Sequence, residues 1–309
     1  MSRLAWGRHF LLCPPDHFAV AYEINPYMHR EVHPDLDRAR AQFEGLVHAL
    51  RSAGASVEML EPVEGLPDMV FTANAGIVDG RRFVPSRFLH RERQGETPYD
   101  EAWFSSRGFE IVDLPGDESF EGAGDALPFG LDLTEDGAKS RPVLVAGYRT
   151  RSSVMSHSVL GEALGVPVRS VELVDARYYH LDLVFCPLDS RRALVAPQGL
   201  DPFGTRVLKE LVEEPVWLED DEAAAFCANS VVVGQVVVMP SCTPRLGRLL
   251  EGFGLEVAIS PVDEFLKAGG GCRCLTLALD VRFEAHPRLR GGREPAPDPR
   301  ESWPWPSQR

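Results

Sequence analysis

The sequence predicts an α/β fold in which one supersecondary unit recurs five times and the five units close into a ring. A helical pattern ending in glycine or Glu-Pro runs into a short apolar strand at five places roughly 40 to 57 residues apart, which is typical of repeat architectures. These segments are Gly54–Leu60, Gly108–Leu114, Gly165–Val171, Glu214–Leu218 and Gly254–Ile259. Several helices are preceded by two short apolar runs that flank a polar turn. This pattern predicts β-hairpins. Units that cannot each bury their own helix face favour a ring, although a layered α/β sheet would show the same alternation.

The individual elements follow from local patterns. The clearest helix begins at the acidic residues Asp35 and Asp37, ends at Gly54, and has its apolar residues at helical spacing. Those apolar residues are Ala39, Phe43, Leu46, Val47 and Leu50. The hairpins are predicted at Gly76–Val84, Leu183–Pro197 and Val231–Met239.

Composition limits the class of protein. The chain has 309 residues, 44% hydrophobic and 25% charged, with a formal net charge of −14, which is typical of a soluble globular protein. Such acidity, with no Lys/Arg run longer than two residues, argues against nucleic-acid binding. No segment has the pattern of a signal peptide or a membrane span. The six scattered cysteines therefore predict reduced thiols and a cytoplasmic protein.

The domain organisation is predicted to be simple. Residues 1–285 have room for about five units in a single domain. Residues 286–309 carry six prolines and five arginines with little apolar periodicity, so we expect a flexible tail.

A glycine-rich loop near the C-terminus is the first candidate for chemistry. Three glycines precede Cys272, Arg273 and Cys274, and an apolar strand is expected at 275–279. Glycines let the backbone approach a ligand closely, and an adjacent arginine can lower a thiol pKa and activate a nucleophile. A buried structural cysteine is an equally good interpretation. Zinc is disfavoured because there is no second cysteine pair or nearby histidine.

Three other segments bring polar groups among apolar or small residues. If residues 180–182 are extended, His180 and Asp182 lie on one face and can act as an acid/base pair, although a hydrogen-bonded core histidine is the more common situation. Glu121 and Asp125 flank small residues and could bind a cation or form an acidic turn. Asp68 and Asn74 flank a short apolar segment that we expect to be a strand.

Together these four segments resemble the guanidine-modifying enzyme superfamily of arginine deiminases, dimethylarginine dimethylaminohydrolases, arginine dihydrolases and amidinotransferases. The similarity covers roughly residues 10 to 280. Members share a five-bladed α/β propeller of ββαβ repeats, the pentein fold, so the resemblance implies the ring reached above from the repeats. The stretch Gly270–Thr276 is similar to the family's nucleophile motif and selects Cys274 rather than Cys272.

The resemblance also implies roles for other residues. His180 would be the catalytic acid/base, and Asp68 and Asp182 would bind the guanidinium. Glu121 and Asp125 both match the family's acidic segment, so which of them takes its role is open; we assign Glu121 to catalysis and Asp125 to substrate binding. Arg93 and Arg151 would bind the substrate carboxylate. Asn74 stands where deiminases and dimethylargininases carry an acid.

The expected activity is hydrolysis of a guanidino group through a covalent thiouronium intermediate, without a metal or organic cofactor. Phe71–Gly76, with Cys13–Asp16 and Ile24–Pro26, looks most like the arginine dihydrolases, which convert arginine to ornithine, ammonia and carbon dioxide. Dimethylargininase, arginine deiminase, amidinotransferase and a non-catalytic arginine binder are the alternatives. The expected partner is a small guanidino substrate, arginine or a methylarginine; a homo-oligomer is left open.

Overall fold

The computed structural model describes residues 4–131 and 142–283, and within them it contains five three-stranded sheets, here called blades 1 to 5. Blade 1 contains β1 (His9–Leu12), β2 (Ser56–Met59) and β15 (Leu277–Ala278). The other blades use consecutive strands: β3 (Gly76–Asp79), β4 (Arg82–Pro85) and β5 (Glu110–Ile111); β6 (Ala126–Phe129), β7 (Val143–Tyr148) and β8 (Val168–Glu172); β9 (Phe185–Pro187), β10 (Arg192–Val195) and β11 (Glu214–Trp217); β12 (Val231–Val233), β13 (Val236–Met239) and β14 (Glu256–Ile259).

Every blade has the same internal order. An antiparallel pair is extended by a parallel outer strand, and a helix connects the middle strand to the outer one. These helices are α1 (Leu36–Ser52), α2 (Thr97–Ser106), α4 (Val154–Leu164), α5 (Pro202–Leu211) and α7 (Pro244–Gly252). Three short helices, α3 (Gly122–Asp125), α6 (Asp220–Ala224) and α8 (Asp263–Leu266), lie between blades. The predicted five-bladed α/β propeller of ββαβ units is therefore confirmed.

Helix α1 shows how the sequence specifies these elements. The Asp35 side chain accepts hydrogen bonds from the backbone N–H groups of Asp37 and Arg38, both at 3.1 Å, and so caps the first turn. The five apolar residues predicted to share a face are the ones that the helix buries. Each large apolar side chain buried in this way contributes roughly 1.5–3 kcal/mol.

Burial decreases from the inner to the outer strand of a blade. All residues of β3, β6, β9 and β12 are buried, whereas the outer strands β2, β5 and β14 contain only exposed and half-buried residues. Blade 1 is completed by the last strand of the described chain, because β15 pairs with β1 and sets Phe10 opposite Ala278. The core thus lies along the inner strands, and the C-terminal strand closes the ring.

The connections between blades are more tightly turned than the sequence suggested. The expected strand between Asp68 and Asn74 is wrong, because Pro67–Val70 and Thr72–Asn74 are 3₁₀ helices. The expected extension of residues 180–182 is also wrong, because Leu181–Leu183 is a 3₁₀ helix and β9 begins only at Phe185. The strand expected at 275–279 shortens to Leu277–Ala278. A 3₁₀ turn satisfies backbone groups within the bend, as in the 2.9 Å bond from Phe71 N–H to the Asp68 carbonyl.

Two further expectations concern the ends and the surroundings of the chain. The predicted tail at 286–309 lies outside the described residues. Within the described ranges, none of the helices combines the length and the apolar character of a membrane span.

Candidate active site

The five connections between blades bring polar side chains to one buried region. Each connection joins the outer strand of a blade to the inner strand of the next. In chain order they contribute Asp68 and Asn74, Glu121 and Asp125, His180 and Asp182, Asn229, and Cys274. A pocket here is lined by Asp68, Asn74, His180 and Cys274, and by Arg93 and Arg151 from the loops after β4 and β7. The repeat therefore collects groups that are far apart in sequence.

Cys274 lies between a hydrogen-bond donor and an acceptor. Its sulfur receives a hydrogen bond from Asn229 Nδ2 at 3.1 Å and donates one to Asp182 Oδ2 at 3.3 Å. Burial, followed by the charge of Asp182, raises the pKa of the thiol well above its ordinary value. The expectation of a lowered thiol pKa beside Arg273 is therefore wrong, because burial and the charge of Asp182 dominate. The Arg273 side chain points into a different cavity, lined by Trp6 and Cys186.

The two cysteines of the glycine-rich loop have different surroundings. Cys272 is fully buried, and its sulfur donates to the Ser260 carbonyl at 3.5 Å. It does not line the pocket, whereas Cys274 does. The glycines are required by close contacts: a Cβ on Gly271 would lie 2.6 Å from Asn229 Oδ1, and one on Gly270 would overlap the Phe71 ring.

Asn229 is a site residue that the sequence reasoning missed. Its Oδ1 accepts the backbone N–H groups of Arg273 and Cys274 at 3.0 and 3.2 Å, and its Nδ2 also donates to the Asp182 carbonyl at 3.2 Å. One side chain thus holds both the backbone and the sulfur of Cys274. The repeat contained a signal for it: Ala228-Asn229 precedes the strand Val231–Val233 at the same offset at which Ala73-Asn74 precedes Gly76–Asp79.

His180 and Glu121 form a buried pair. Nε2 of His180 donates to Glu121 Oε2 at 2.8 Å, and Nη1 of Arg151 donates to the same oxygen at 3.1 Å. Burial alone would raise the pKa of Glu121, but Arg151 and the hydrogen bond from His180 outweigh it and hold that pKa well below its ordinary value. Glu121 is therefore an ionised partner that fixes which histidine nitrogen carries hydrogen, and Nδ1 is left for the pocket.

Asp125 occupies a different position from Glu121. One of its carboxylate oxygens accepts from the Ser152 hydroxyl at 2.6 Å, and the other accepts the backbone N–H of Leu181 at 3.1 Å. Asp125 does not line the pocket. Its contacts orient the residue that follows His180, and its assignment to substrate binding stays a prediction.

Two buried carboxylates lie at or beside the pocket. Asp68 lines the pocket and interacts with the Tyr22 hydroxyl, and Asp182 accepts a hydrogen bond from Cys274. Burial raises the pKa of both, that of Asp182 to about 7. Asp68 is therefore placed to accept a hydrogen bond from a ligand in the pocket, and Asp182 contacts the cysteine that lines it.

The two arginines differ in how far they are already occupied. Arg93 forms a bidentate pair with Glu96 at 2.8 and 2.7 Å and also donates to Asn74 Oδ1 at 2.8 Å and the Asp68 carbonyl at 3.1 Å. Glu96 is a second residue that the sequence reasoning missed. Arg151 stacks over Tyr179 with 4.9 Å from Cζ to the ring centre, and its Nε has no partner among the described residues. Arg151 thus retains a free donor for an anionic group.

Within the described ranges, no group of three or more His, Cys, Asp or Glu side chains is placed to hold a metal ion.

Comparison with known proteins identifies similar chains. The sequence matches the family described as "N,N dimethylarginine dimethylhydrolase, eukaryotic" over residues 15–281. It is 43% identical to the bifunctional arginine dihydrolase/ornithine cyclodeaminase AgrE of Nostoc sp. over 282 residues, which are 90% of this chain and 39% of AgrE. It is 35% identical to the dimethylarginine dimethylaminohydrolase of Mycobacterium tuberculosis over 272 residues, 88% of this chain and 86% of that protein.

Solved structures of similar proteins have the same fold. The N-terminal domain of ArgZ, an arginine dihydrolase from cyanobacteria, in a cysteine-to-serine variant bound to substrate, superimposes with a TM-score of 0.82 and 40% identity, covering 89% of this chain and 98% of that one. A dimethylarginine dimethylaminohydrolase adduct has a TM-score of 0.70 at 20% identity, which supports the fold alone. The chain spans about two fifths of the length of the full-length bifunctional dihydrolases, 39% of AgrE and 37% of ArgZ.

Proposed function

The chain belongs to the N,N-dimethylarginine dimethylhydrolase family, and on that basis we propose that it hydrolyses the guanidino group of free arginine through a covalent intermediate on Cys274. The observation that carries the proposal is the arrangement of two buried carboxylates, Asp68 in the pocket lining and Asp182 against Cys274, with a histidine in the same pocket. A guanidinium presents fixed N–H donors that match such acceptors.

The catalytic steps follow from the pocket. The bound cation stabilises the negative forms of Asp68, Asp182 and Cys274, whose pKa values burial raises. The thiolate attacks the guanidinium carbon, His180 delivers a proton to the departing nitrogen, and ammonia leaves with formation of a thiouronium. Water then adds to that carbon while His180 takes its proton, and cleavage of the C–S bond returns the thiol and a ureido product.

Asn74 supports a second round of hydrolysis, which would give ornithine, a second ammonia and carbon dioxide. Its Oδ1 accepts from Arg93 and its Nδ2 donates to the Glu121 carbonyl at 3.2 Å, so one N–H remains for a neutral ureido oxygen. A carboxylate would favour the cationic substrate over the neutral ureido group. An asparagine-to-serine variant of the ArgZ domain is known covalently bound to a reaction intermediate, which supports a role for an asparagine in this chemistry.

Hydrolysis of dimethylarginine to citrulline and dimethylamine is the second candidate. The family match and the M. tuberculosis relative, 86% of which is covered, favour it. The larger leaving group would need space beside His180. The pocket has only about 10 Å³ of free volume, so either ligand must displace a segment of the lining. Ile24, whose carbonyl accepts from Arg151 at 2.8 Å, lies in one such segment.

Product analysis tests these activities. Incubation with arginine alone should yield ornithine and about two ammonia per arginine, and Asn74→Asp should shift the product toward citrulline and one ammonia. Citrulline as the sole wild-type product would refute the dihydrolase proposal and indicate a deiminase. A higher kcat/KM for dimethylarginine would favour the second candidate, and ammonia-free turnover that requires an amine acceptor would indicate an amidinotransferase.

The remaining features are proposals on narrower grounds. All six cysteines are free, which supports a reducing, cytoplasmic environment. The division into one catalytic domain over 1–285 and a tail, and the oligomeric state, stay predictions.

A further inference from the structure

A second cavity lies on the other side of the peptide that carries Cys274. Its walls include Arg273, Trp6, Leu127, Phe185 and Cys186, and it shares no lining residue with the substrate pocket. Arg273 is only 4% exposed and Trp6 only 5%. The two neighbouring residues of the nucleophile loop therefore face two separate cavities.

Among the described residues, no acidic side chain forms an ion pair with Arg273. Within the same ranges Nε of the guanidinium has no hydrogen-bond partner, and Cζ lies 5.1 Å from the centre of the Trp6 ring. The acids whose charges act on it, Asp182 and Asp280, have other contacts. Asp182 accepts from Cys274, and Asp280 accepts the backbone N–H groups of Gly7 and Arg8 at 2.9 and 2.8 Å. A buried guanidinium remains protonated, so its charge requires compensation.

Two N–H donors without a partner among the described residues, on Arg273 and Trp6, line this cavity. Trp6 Nε1 is also buried without a partner among the described residues. The neighbouring polar hydrogens are already used: Cys186 Sγ donates to the Ser230 carbonyl at 3.4 Å, and Ser230 Oγ donates to the Cys227 carbonyl at 2.8 Å. Two unused N–H donors and one net positive charge favour an anion and exclude a cation.

The size of the cavity selects the kind of anion. Its free volume is about 10 Å³, close to one water-sized sphere, so phosphate, sulfate or a carboxylate could enter only by displacing the walls, whereas a monatomic anion requires the smallest adjustment. A water molecule could accept from both donors but would leave the charge uncompensated. We propose that this cavity binds a single monovalent anion of chloride size between the Arg273 guanidinium and the Trp6 indole N–H.

Such an anion would stabilise the nucleophile loop. The backbone N–H of Arg273 donates to Asn229 Oδ1 at 3.0 Å, so the residue that would hold the anion also belongs to the network that positions Cys274. A ligand that binds only the folded state raises the unfolding temperature with its concentration. This site is independent of the identity of the guanidino substrate.

Two measurements on the full chain test the proposal. At equal ionic strength, about 200 mM chloride should raise Tm by about 2–4 °C over gluconate, which is too large for the cavity. Crystals soaked in bromide should show an anomalous peak between Arg273 and Trp6. Equal Tm values in both salts, or bromide peaks only elsewhere, would overturn the proposal.

Variants assign the effect to this cavity. Trp6→Phe keeps the ring but removes the N–H, and it should weaken chloride binding about tenfold, as expected for a hydrogen bond to a charged group. Arg273→Met should abolish the chloride response; if it does not fold, the Trp6→Phe and bromide results decide. Arg8→Met removes an exposed arginine nearby and should retain the full response. An unchanged response in Trp6→Phe would refute the assignment.

Discussion

Replacing Asn229 with alanine removes the side chain that contacts both the Cys274 sulfur and the backbone of the nucleophile loop. The variant loses two bonds from Nδ2, to Cys274 Sγ and the Asp182 carbonyl, and two bonds to Oδ1, from the backbone N–H groups of Arg273 and Cys274. A hydrogen bond to a charged group contributes about 1.5–3 kcal/mol. Loss of the donor to the thiolate should therefore lower kcat/KM about 10- to 150-fold.

Asn229→Ala should also lower the free energy of unfolding. Each backbone N–H left buried without an acceptor costs about 1–3 kcal/mol, so two such groups cost about 2–6 kcal/mol in free energy of unfolding. Asn229→Asp separates the two effects, because it keeps an acceptor for both N–H groups but replaces the donor that faces Cys274. We expect Asn229→Asp to retain more stability than the alanine variant while losing at least as much activity.

Ammonia release from arginine across the pH range, together with urea unfolding, provides the assay. Because the lost donor favours the thiolate, the rising limb of kcat/KM should move to higher pH in Asn229→Ala. A folded Asn229→Ala or Asn229→Asp protein with wild-type kcat/KM would refute the role assigned to this residue.

Three further predictions concern the same site. Cys274→Ser should abolish turnover and leave Tm nearly unchanged, whereas Cys272→Ser, outside the pocket, should retain activity; the reverse result would transfer the nucleophile to Cys272. Glu121→Gln should lower kcat/KM at least about 100-fold and destabilise the fold by about 3–5 kcal/mol, since Arg151 loses its buried partner. Asp125→Asn should lower kcat/KM about tenfold or less. Equal losses of kcat/KM in the two variants would contradict the distinction between the two acids. The pKa of Asp182 is about 7 when folded against an ordinary 3.8, so the folded state binds the extra proton and stability falls as pH rises through that window. Between about pH 5 and 8, the free energy of unfolding should therefore fall by roughly 2–3 kcal/mol less in Asp182→Asn than in the wild type. Urea denaturation measures this difference. An unchanged pH dependence would mean that Asp182 is ionised throughout.

Local sequence determined the architecture of this protein. The apolar stripe of α1, the capping aspartate and the glycine after the helix are all near one another in the chain, and the structure places them as their spacing predicts. The hairpins and the five helix-to-strand segments, four beginning with glycine and one with Glu-Pro, follow for the same reason. Helix and strand periodicities are properties of a few consecutive residues, so they can be read before any long-range contact is known. The resemblance of short motifs to a known family then predicted which of these residues form the active site.

Tertiary structure decided what surrounds each polar group. Glu121 and Asp125 are four residues apart, yet one pairs with His180 and the other with Ser152, because a short helix directs the two carboxylates to different neighbours. The role of Asn229, the pairing of Arg93 with Glu96, and the raised pKa of Cys274 likewise depend on residues that other blades bring into contact. Hydrogen bonding and desolvation act through space over a few ångströms, and the chain separations involved reach 92 residues between Cys274 and Asp182.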